Sequence, residues 1–176
     1  MIRVLGLPKG QVFLVPWTEQ WEIEFKEEEK KIRFEINESI WAIHHIGSTA
    51  IKGLSAKPII DIAIEIKSFE EGIRCVPGLE KIGYSYKGTD VLPDRYYFNK
   101  GEPRTHQIHM YQTESEYLYK QLTLRDYLRT NENARKKYQE LTEKLTKEHS
   151  MNKFAYADSK TDFINKIILE AERGRQ

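Results

Sequence analysis

From His44 to Ile66 the chain reads HHIGSTAIKGLSAKPIIDIAIEI, and no other stretch constrains its fold as much. An apolar entry, Ile40-Trp41-Ala42-Ile43, runs into a Gly47-Ser48 turn. A second loop, Gly53-Leu54-Ser55-Ala56-Lys57-Pro58, is followed by a β-branched run that carries a carboxylate, Asp61, in its middle. Both apolar runs have strand length and are bounded by turn residues, so 40–46 and 58–66 are predicted strands. Side chains alternate between the two faces of a strand. Ile60, Ile62, Ile64 and Ile66 therefore share the core face, and Asp61, Ala63 and Glu65 share the other. An acid on a sheet face beside a Gly-Ser loop is a candidate site. The plainer alternative is a half-exposed strand whose acids face water.

The flanking sequence supplies helices and further strands. Gln11–Pro16 reads as a short strand, and Thr18 as the cap of a helix. Trp17, Trp21, Phe25, Ile32 and Ile36 recur at helical spacing, with the charged run from Glu27 to Lys31 as the solvated face. Asn37-Glu38-Ser39 breaks that helix. Ser68 is a candidate cap for a helix over 69–74, ended or interrupted at Pro77-Gly78. Tyr84 and Tyr86 suit an extended segment. RYYFN (95–99) and 105–111 read as strands of a hairpin turning at 100–103. From Ser115 the periodicity is helical, with one helix around Leu118 to Leu128, another from Asn131, and a last one from about Ser159. The expected fold class is α/β (α+β), a small mixed sheet flanked by helices. One domain is expected over 1–176, with the sheet-containing core in 1–112 and helices in 113–176.

Charge and cysteine content exclude some function classes. The chain has 176 residues, 28 basic against 27 acidic, for a net charge of +1. Bulk charge therefore gives no reason to expect nucleic-acid or membrane-surface binding, although a local patch stays open. The single cysteine, Cys75, cannot form an intramolecular disulfide and suits a reducing cytoplasm. It reads as a small buried apolar residue. The opening MIRVLGLPKGQVFLVPW has no continuous apolar segment, so no signal peptide is expected. Nor does any apolar run approach the roughly 20 residues that span a bilayer.

A short helix opening at Ser48-Thr49-Ala50 would aim backbone N–H groups at a phosphate or carboxylate. Gly47 would allow close approach, and Ser48 and Thr49 would add hydroxyls. An ordinary helix cap after a turn is the alternative. Five residues separate Gly47 from Gly53, and Leu54 follows, so this is no Walker A loop. Lys57 is placed to meet a phosphate as a point charge. A metal at Asp61 meets a spacing problem. Glu65 lies four residues away on the strand, roughly 13 Å, whereas ligands of one Mg²⁺ sit roughly 2.1 Å from it. The two acids cannot easily share an ion, and position 63, which could serve, is alanine.

His45-Ile46-Gly47-Ser48-Thr49-Ala50, Gly53-Leu54, Ala56-Lys57-Pro58-Ile59-Ile60-Asp61-Ile62, Gly83-Tyr84, the His106–His109 segment and Arg125-Asp126-Tyr127-Leu128-Arg129 together resemble the GrpB-like family of small bacterial proteins, which belongs to the nucleotidyltransferase-fold superfamily. The likeness covers essentially the whole chain. It implies a Gly-Ser turn that binds a nucleotide phosphate, here Gly47-Ser48. It also implies an Asp-x-Asp/Glu pair plus a third acid on a neighbouring strand, which together hold two Mg²⁺ ions. Asp61 matches the first acid, Ala63 departs from the second, and histidines stand where the third is expected. Asp with His favours Mn²⁺, Zn²⁺ or no metal, so the divalent metal, Mg²⁺ or Mn²⁺, is an open expectation.

Of the two histidines, His109 shares a face with Thr105, Gln107 and Tyr111. It is the candidate ligand or general base near Asp61, with a hydrogen-bonded structural role as the alternative. Arg104, with Arg95, Lys100, Arg125 and Arg129, is a candidate for a phosphate-binding mouth. Two functions follow. One is a nucleotidyltransferase acting on a nucleotide held by Gly47, Ser48, Thr49, Lys57 and Arg104. The other is a non-catalytic module that binds a phosphate-bearing small molecule or docks on a partner. Fusion of GrpB-like domains to dephospho-coenzyme A kinases, known from the family, adds a link to coenzyme A synthesis. Oligomeric state cannot be read from the sequence.

Overall fold

A computed structural model describes residues 4–150 and 152–175, with the backbone alone at 153 and 154. Five strands form one mixed sheet: β1 (Ile40–Ile46), β2 (Ile60–Ile66), β3 (Ser85–Gly88), β4 (Tyr96–Lys100) and β5 (His106–Gln112). Their spatial order is β1-β2-β5-β4-β3. β2 and β5 run parallel, and every other pairing is antiparallel. Among the described residues five α-helices accompany the sheet: α1 (Gln20–Ile36), α2 (Gly72–Lys81), α3 (Glu116–Thr130), α4 (Glu132–His149) and α5 (Lys153–Arg173). Of the helices among the described residues, none is long and apolar enough to cross a membrane.

The alternation in β2 decides the layering. Ile60, Ile62, Ile64 and Ile66 are wholly buried with Trp21, Ile32 and Ile36 of α1 and Cys75 and Leu79 of α2. The opposite face packs Ala63, Ile46 and Tyr111 under Leu118 of α3. The C-terminal helices close a third cluster, in which Leu128, Tyr138 and Ile167 cover Ile51 and Leu54 of the long β1–β2 loop. That loop is therefore held between the sheet and the helical half.

Four expectations are corrected. Residues 11–16 form no strand; the N-terminal arm makes isolated bridges instead, Leu7 with Arg104 and Val15 with Ala56. Helix α2 passes through Pro77 and Gly78. Proline removes a single backbone bond, and Gly78 sits where a Cβ would come 2.7 Å from Ile36 of α1, so the close helix packing needs the glycine. The last helix begins at Lys153 rather than near Ser159, capped by the Asn152 side chain, which accepts from Ala155 N at 3.1 Å. Finally, Glu28, inside the supposed solvated run, is 2% exposed.

Candidate functional site

Three residues, Ser48–Ala50, make a single 3₁₀ turn after β1. So short a turn has almost no macrodipole, so the positive charge at this site comes from side chains instead. The turn is clamped from both sides. His45 Nε2 donates to Thr49 Oγ1 (2.9 Å), whose hydroxyl donates to the Ile59 carbonyl (3.3 Å). From α3, Arg125 donates to the His45 carbonyl (3.2 Å) and Arg129 to the Ala50 carbonyl (2.9 Å). Arg125 also pairs with Asp126 at 2.8 Å, so one guanidinium holds both its own helix and the end of β1.

Gly47 has φ +74° and ψ −177°, a region essentially reserved for glycine. A Cβ there would lie 2.7 Å from Asp61 Oδ2. The close approach that the glycine permits is thus that of Asp61. Gly47→Ala is expected to cost about 2–4 kcal/mol, combining backbone strain with overpacking. Thermal melts of Gly47→Ala with and without Asp61→Ala would check this. The cost should shrink, without vanishing, once the carboxylate is gone, and an unchanged melting temperature in the single variant would refute the steric argument.

Asp61 keeps 24% of its side-chain exposure. Gln107, its register partner on β5, donates from Nε2 to Oδ1 at 2.9 Å. Gln107 is itself oriented by the Tyr97 hydroxyl and by Arg104 at 3.3 Å. His109, in register with Ala63, brings Nε2 to 3.5 Å from Asp61 Oδ1. Behind it, Arg95 Nη1 lies 3.4 Å from His109 Nδ1. A guanidinium can only donate, so Nδ1 accepts and the ring proton sits on Nε2, facing Asp61. Arg95 is buried, with its guanidinium 4.8 Å from the Tyr111 ring and 5.4 Å from the Tyr117 ring. Burial raises the Asp61 pKa, but His109, Lys57 and Gln107 outweigh it and hold the carboxyl below its usual range.

A cleft of about 430 Å³ opens in front of this acid. Gly47, Ser48, Thr49, Lys57, Asp61 and Gln107 line its floor, which thus gathers five of the candidate residues. Its other walls come from the C-terminal helices, which supply Lys120, Arg125, Tyr138, Tyr156 and Lys160. Lys160 lies 5.0 Å from both the Tyr138 and Tyr156 ring centroids, and Lys57 lies 5.3 Å from that of Tyr156. Ser48 Oγ is 3.5 Å from the Tyr138 hydroxyl. Arg125 is a candidate for a phosphate-binding mouth, but nothing in the sequence marks the other four helical residues, because helical spacing does not reveal which face meets a distant loop.

The other candidates lie elsewhere. Arg104 lines a separate depression of about 210 Å³ and reaches Asp61 only through Gln107. Glu65 hydrogen-bonds His44 at 2.6 Å, four residues along β2 from Asp61. His106 points to the opposite face, where it is buried beside Tyr84.

Among the described residues there is no group of three or more His, Cys, Asp or Glu able to hold a metal. Ala63, buried beneath Leu118, leaves Asp61 as the one carboxylate facing the cleft among the described residues. This donor set does not fit a two-ion centre. It does fit one Mg²⁺ or Mn²⁺ held by a single carboxylate together with a ligand's phosphates and water.

The five-stranded mixed sheet, with a Gly-Ser loop leaving its edge strand and an acid on the next, belongs to a nucleotidyltransferase-like fold. Cid1 in complex with the UTP analogue UMPNPP superposes with a TM-score of 0.52 at 13% identity, covering 75% of this chain and 42% of that one, a likeness of fold. The chain belongs to the GrpB family, whose sequence model, described as GrpB protein, matches residues 11–170. The crystal structure of the conserved protein GrpB from Enterococcus faecalis superposes with a TM-score of 0.85 at 32% identity, covering 93% of this chain and 99% of that one. UPF0157 protein YqkA of Bacillus subtilis is 35% identical over 96% of this chain, which spans only 50% of that protein. The glutamate-rich protein GrpB of Alkalihalophilus pseudofirmus is 30% identical, over 95% of this chain and 99% of its own length.

Proposed function

We propose that the cleft binds a nucleotide or another phosphate-bearing small molecule, with its phosphates at the Gly47-Ser48-Thr49 loop beside Asp61. The supporting observation is the cleft's charge: Lys57, Lys120, Arg125 and Lys160 face it against the one acid, Asp61. Its volume lies in the range of small-molecule sites, and the apolar wall around Leu124, Leu128 and Ile164 suits the uncharged part of such a ligand. The Cid1 relative in fold is in complex with a UTP analogue, which adds support for a nucleotide. In this reading His109 is a positioning residue. Its two nitrogens are engaged by Arg95 and Asp61, so it aims the carboxylate rather than accepting a substrate proton.

Asp61 would hold the single divalent ion that a triphosphate brings, which would offset charge on the phosphates. The missing second carboxylate favours ligand binding without two-ion nucleotidyl transfer. Metal-dependent transfer is the second reading, favoured by the Asp61–loop geometry that Gly47 permits.

A thermal-shift panel of nucleoside triphosphates, dephospho-coenzyme A and coenzyme A, with and without Mg²⁺ and Mn²⁺, tests both readings. A ligand at a hundred times its dissociation constant stabilises by about 2.7 kcal/mol, a shift of several degrees. A shift without turnover, enhanced by metal in the parent protein and kept in Asp61→Asn without the metal enhancement, is the expected result for a binding module. A shift that needs metal and is lost in Asp61→Asn, with turnover, supports the enzyme. No shift with any phosphate compound overturns the proposal.

A further inference from the structure

A second cavity, of about 780 Å³, lies on the other side of the 47–50 turn from the cleft. It is bounded by α1, the edge strand β1, the loop around Lys52, and the basic side chains of α3 and the start of α4. Lys26, Lys52, Arg125, Arg129 and Arg135 line it against one acid, Glu22. A chain of net charge +1 thus concentrates five cations from four segments around one hollow.

These cations are also set in place. Arg129 is anchored to the Ala50 carbonyl at 2.9 Å, and Arg135 to the Leu128 and Arg129 carbonyls at 3.0 and 3.3 Å. Each contact uses one or two of the five guanidinium N–H groups, which leaves donors of a fixed fork for an anion. Glu22 is already paired with Lys26 at 3.1 Å, and Asp126 with Arg125 at 2.8 Å. Lys52 extends over the Trp17 ring at 5.8 Å, and His45 stacks on Phe25 at 4.7 Å, so the floor is aromatic. Like charges gathered in a concave wall focus positive potential into it.

We infer that this cavity is a second anion site, distinct from the cleft, and that it takes an anion carrying two or more phosphoryl groups. One phosphate cannot meet cations on both rims of a hollow this size, whereas a linked pair or run of phosphates can. A free oligophosphate compound and the backbone of a nucleic-acid strand both present that chemistry. The site goes beyond the proposed function, since it shares only Thr49 and Arg125 with the cleft.

The test is calorimetric titration of tripolyphosphate, and separately of a short single-stranded RNA, into Lys57→Met/Lys160→Met, which strips the cleft of two cations. The same titrations then follow with Lys26→Glu/Lys52→Glu added. All four lysines lie on the surface or at cavity walls, and circular dichroism checks that the variants fold. Binding that survives the cleft substitutions and weakens roughly tenfold or more on reversal of Lys26 and Lys52 is expected. Preference for tripolyphosphate identifies a small-molecule ligand, and preference for RNA a strand. Equal affinity with and without the reversal, or no binding of either probe, overturns the inference. Failure of the cleft proposal would show separately, as nucleotide shifts that ignore Lys57 and Lys160.

Discussion

Between pH 7.5 and pH 4 the protein is expected to lose several kcal/mol of stability, and two buried histidines account for most of it. Burial lowers the pKa of His45 to about 4, outweighing the favourable charge of Asp61, with Arg129 and Arg125 adding to the depression. Burial likewise lowers His106 to about 4, against the pull of Glu28. An unfolded histidine titrates near 6.5, so between pH 6.5 and 4 the unfolded chain binds protons that the folded one refuses. Stability is therefore complete above pH 6.5 and falls as the pH drops toward 4. The loss is about 2 kcal/mol per histidine at pH 5 and approaches about 3 at pH 4. Below that, Asp61 and Glu28, both with lowered pKa, add to the loss as they protonate. Two histidines thus remove much of the 5–15 kcal/mol that folds a typical domain.

The two histidines can be separated. His45 Nε2 holds Thr49. His106 donates from Nδ1 to Thr105 Oγ1 at 2.8 Å, while its Nε2 is buried without a partner among the described residues. His106→Phe should therefore remove about half of the pH dependence at little cost at pH 7.5. Urea denaturation at pH 7.5, 6 and 5 would measure it. Equal unfolding free energies at pH 7.5 and 5 in the parent protein would show that neither histidine is as enclosed as the structure has it.

How much of this was legible in the sequence differs by element. β1 was bounded correctly, and β2 to within two residues, because strict alternation and flanking turn residues are local signals. The Ser48–Ala50 turn and the placing of His109 on the Asp61 face follow from the same alternation. The partners of Asp61 were not readable in that way. Gln107 meets it because β2 and β5 pair in parallel with Asp61 opposite Gln107, and a register between strands 46 residues apart leaves no local trace. The cleft's helical wall was hidden for a related reason. Lys160 and Tyr156 belong to a helix whose start was placed too late, since the Asn152 cap carries less signal than the apolar spacing from Phe163 onward. The arm at 11–16 looked like a strand because Val12, Phe13 and Val15 are β formers, yet only Val15 is paired, to Ala56. Propensity in so short a segment yields to tertiary context.

The largest misreading, Glu28, leads to the second large effect. In the sequence it is one acid within a run of charges, and such a run ordinarily faces water. In the structure it lies beneath β4 and β5, where Lys100 Nζ reaches Oε1 at 2.7 Å and the Tyr84 hydroxyl donates to the same oxygen at 2.9 Å. Lys31 reaches Oε2 at 3.4 Å. Burial raises its pKa, but the hydrogen bond and charge of Lys100, with the Tyr84 hydroxyl, prevail and keep it ionised. Glu28→Ala removes the acceptor and strands Lys100, whose side chain is 22% exposed, over the Tyr84 ring at 5.2 Å. Breaking a buried pair from one side costs about 3 kcal/mol or more. For a domain of this size that is a fall of roughly 6–12 °C in melting temperature. Glu28→Leu combined with Lys100→Met removes both charges, and apolar replacements of a buried pair are often near neutral, so the double variant should recover most of the loss. Calorimetric melts at pH 7.5 would decide it. A single variant that melts within a degree or two of the parent would mean that Glu28 reaches water after all. A double variant no better than the single would mean that the pair is needed for more than mutual neutralisation, and His106, whose ring borders Tyr84 at 6.5 Å, would be the group to examine next.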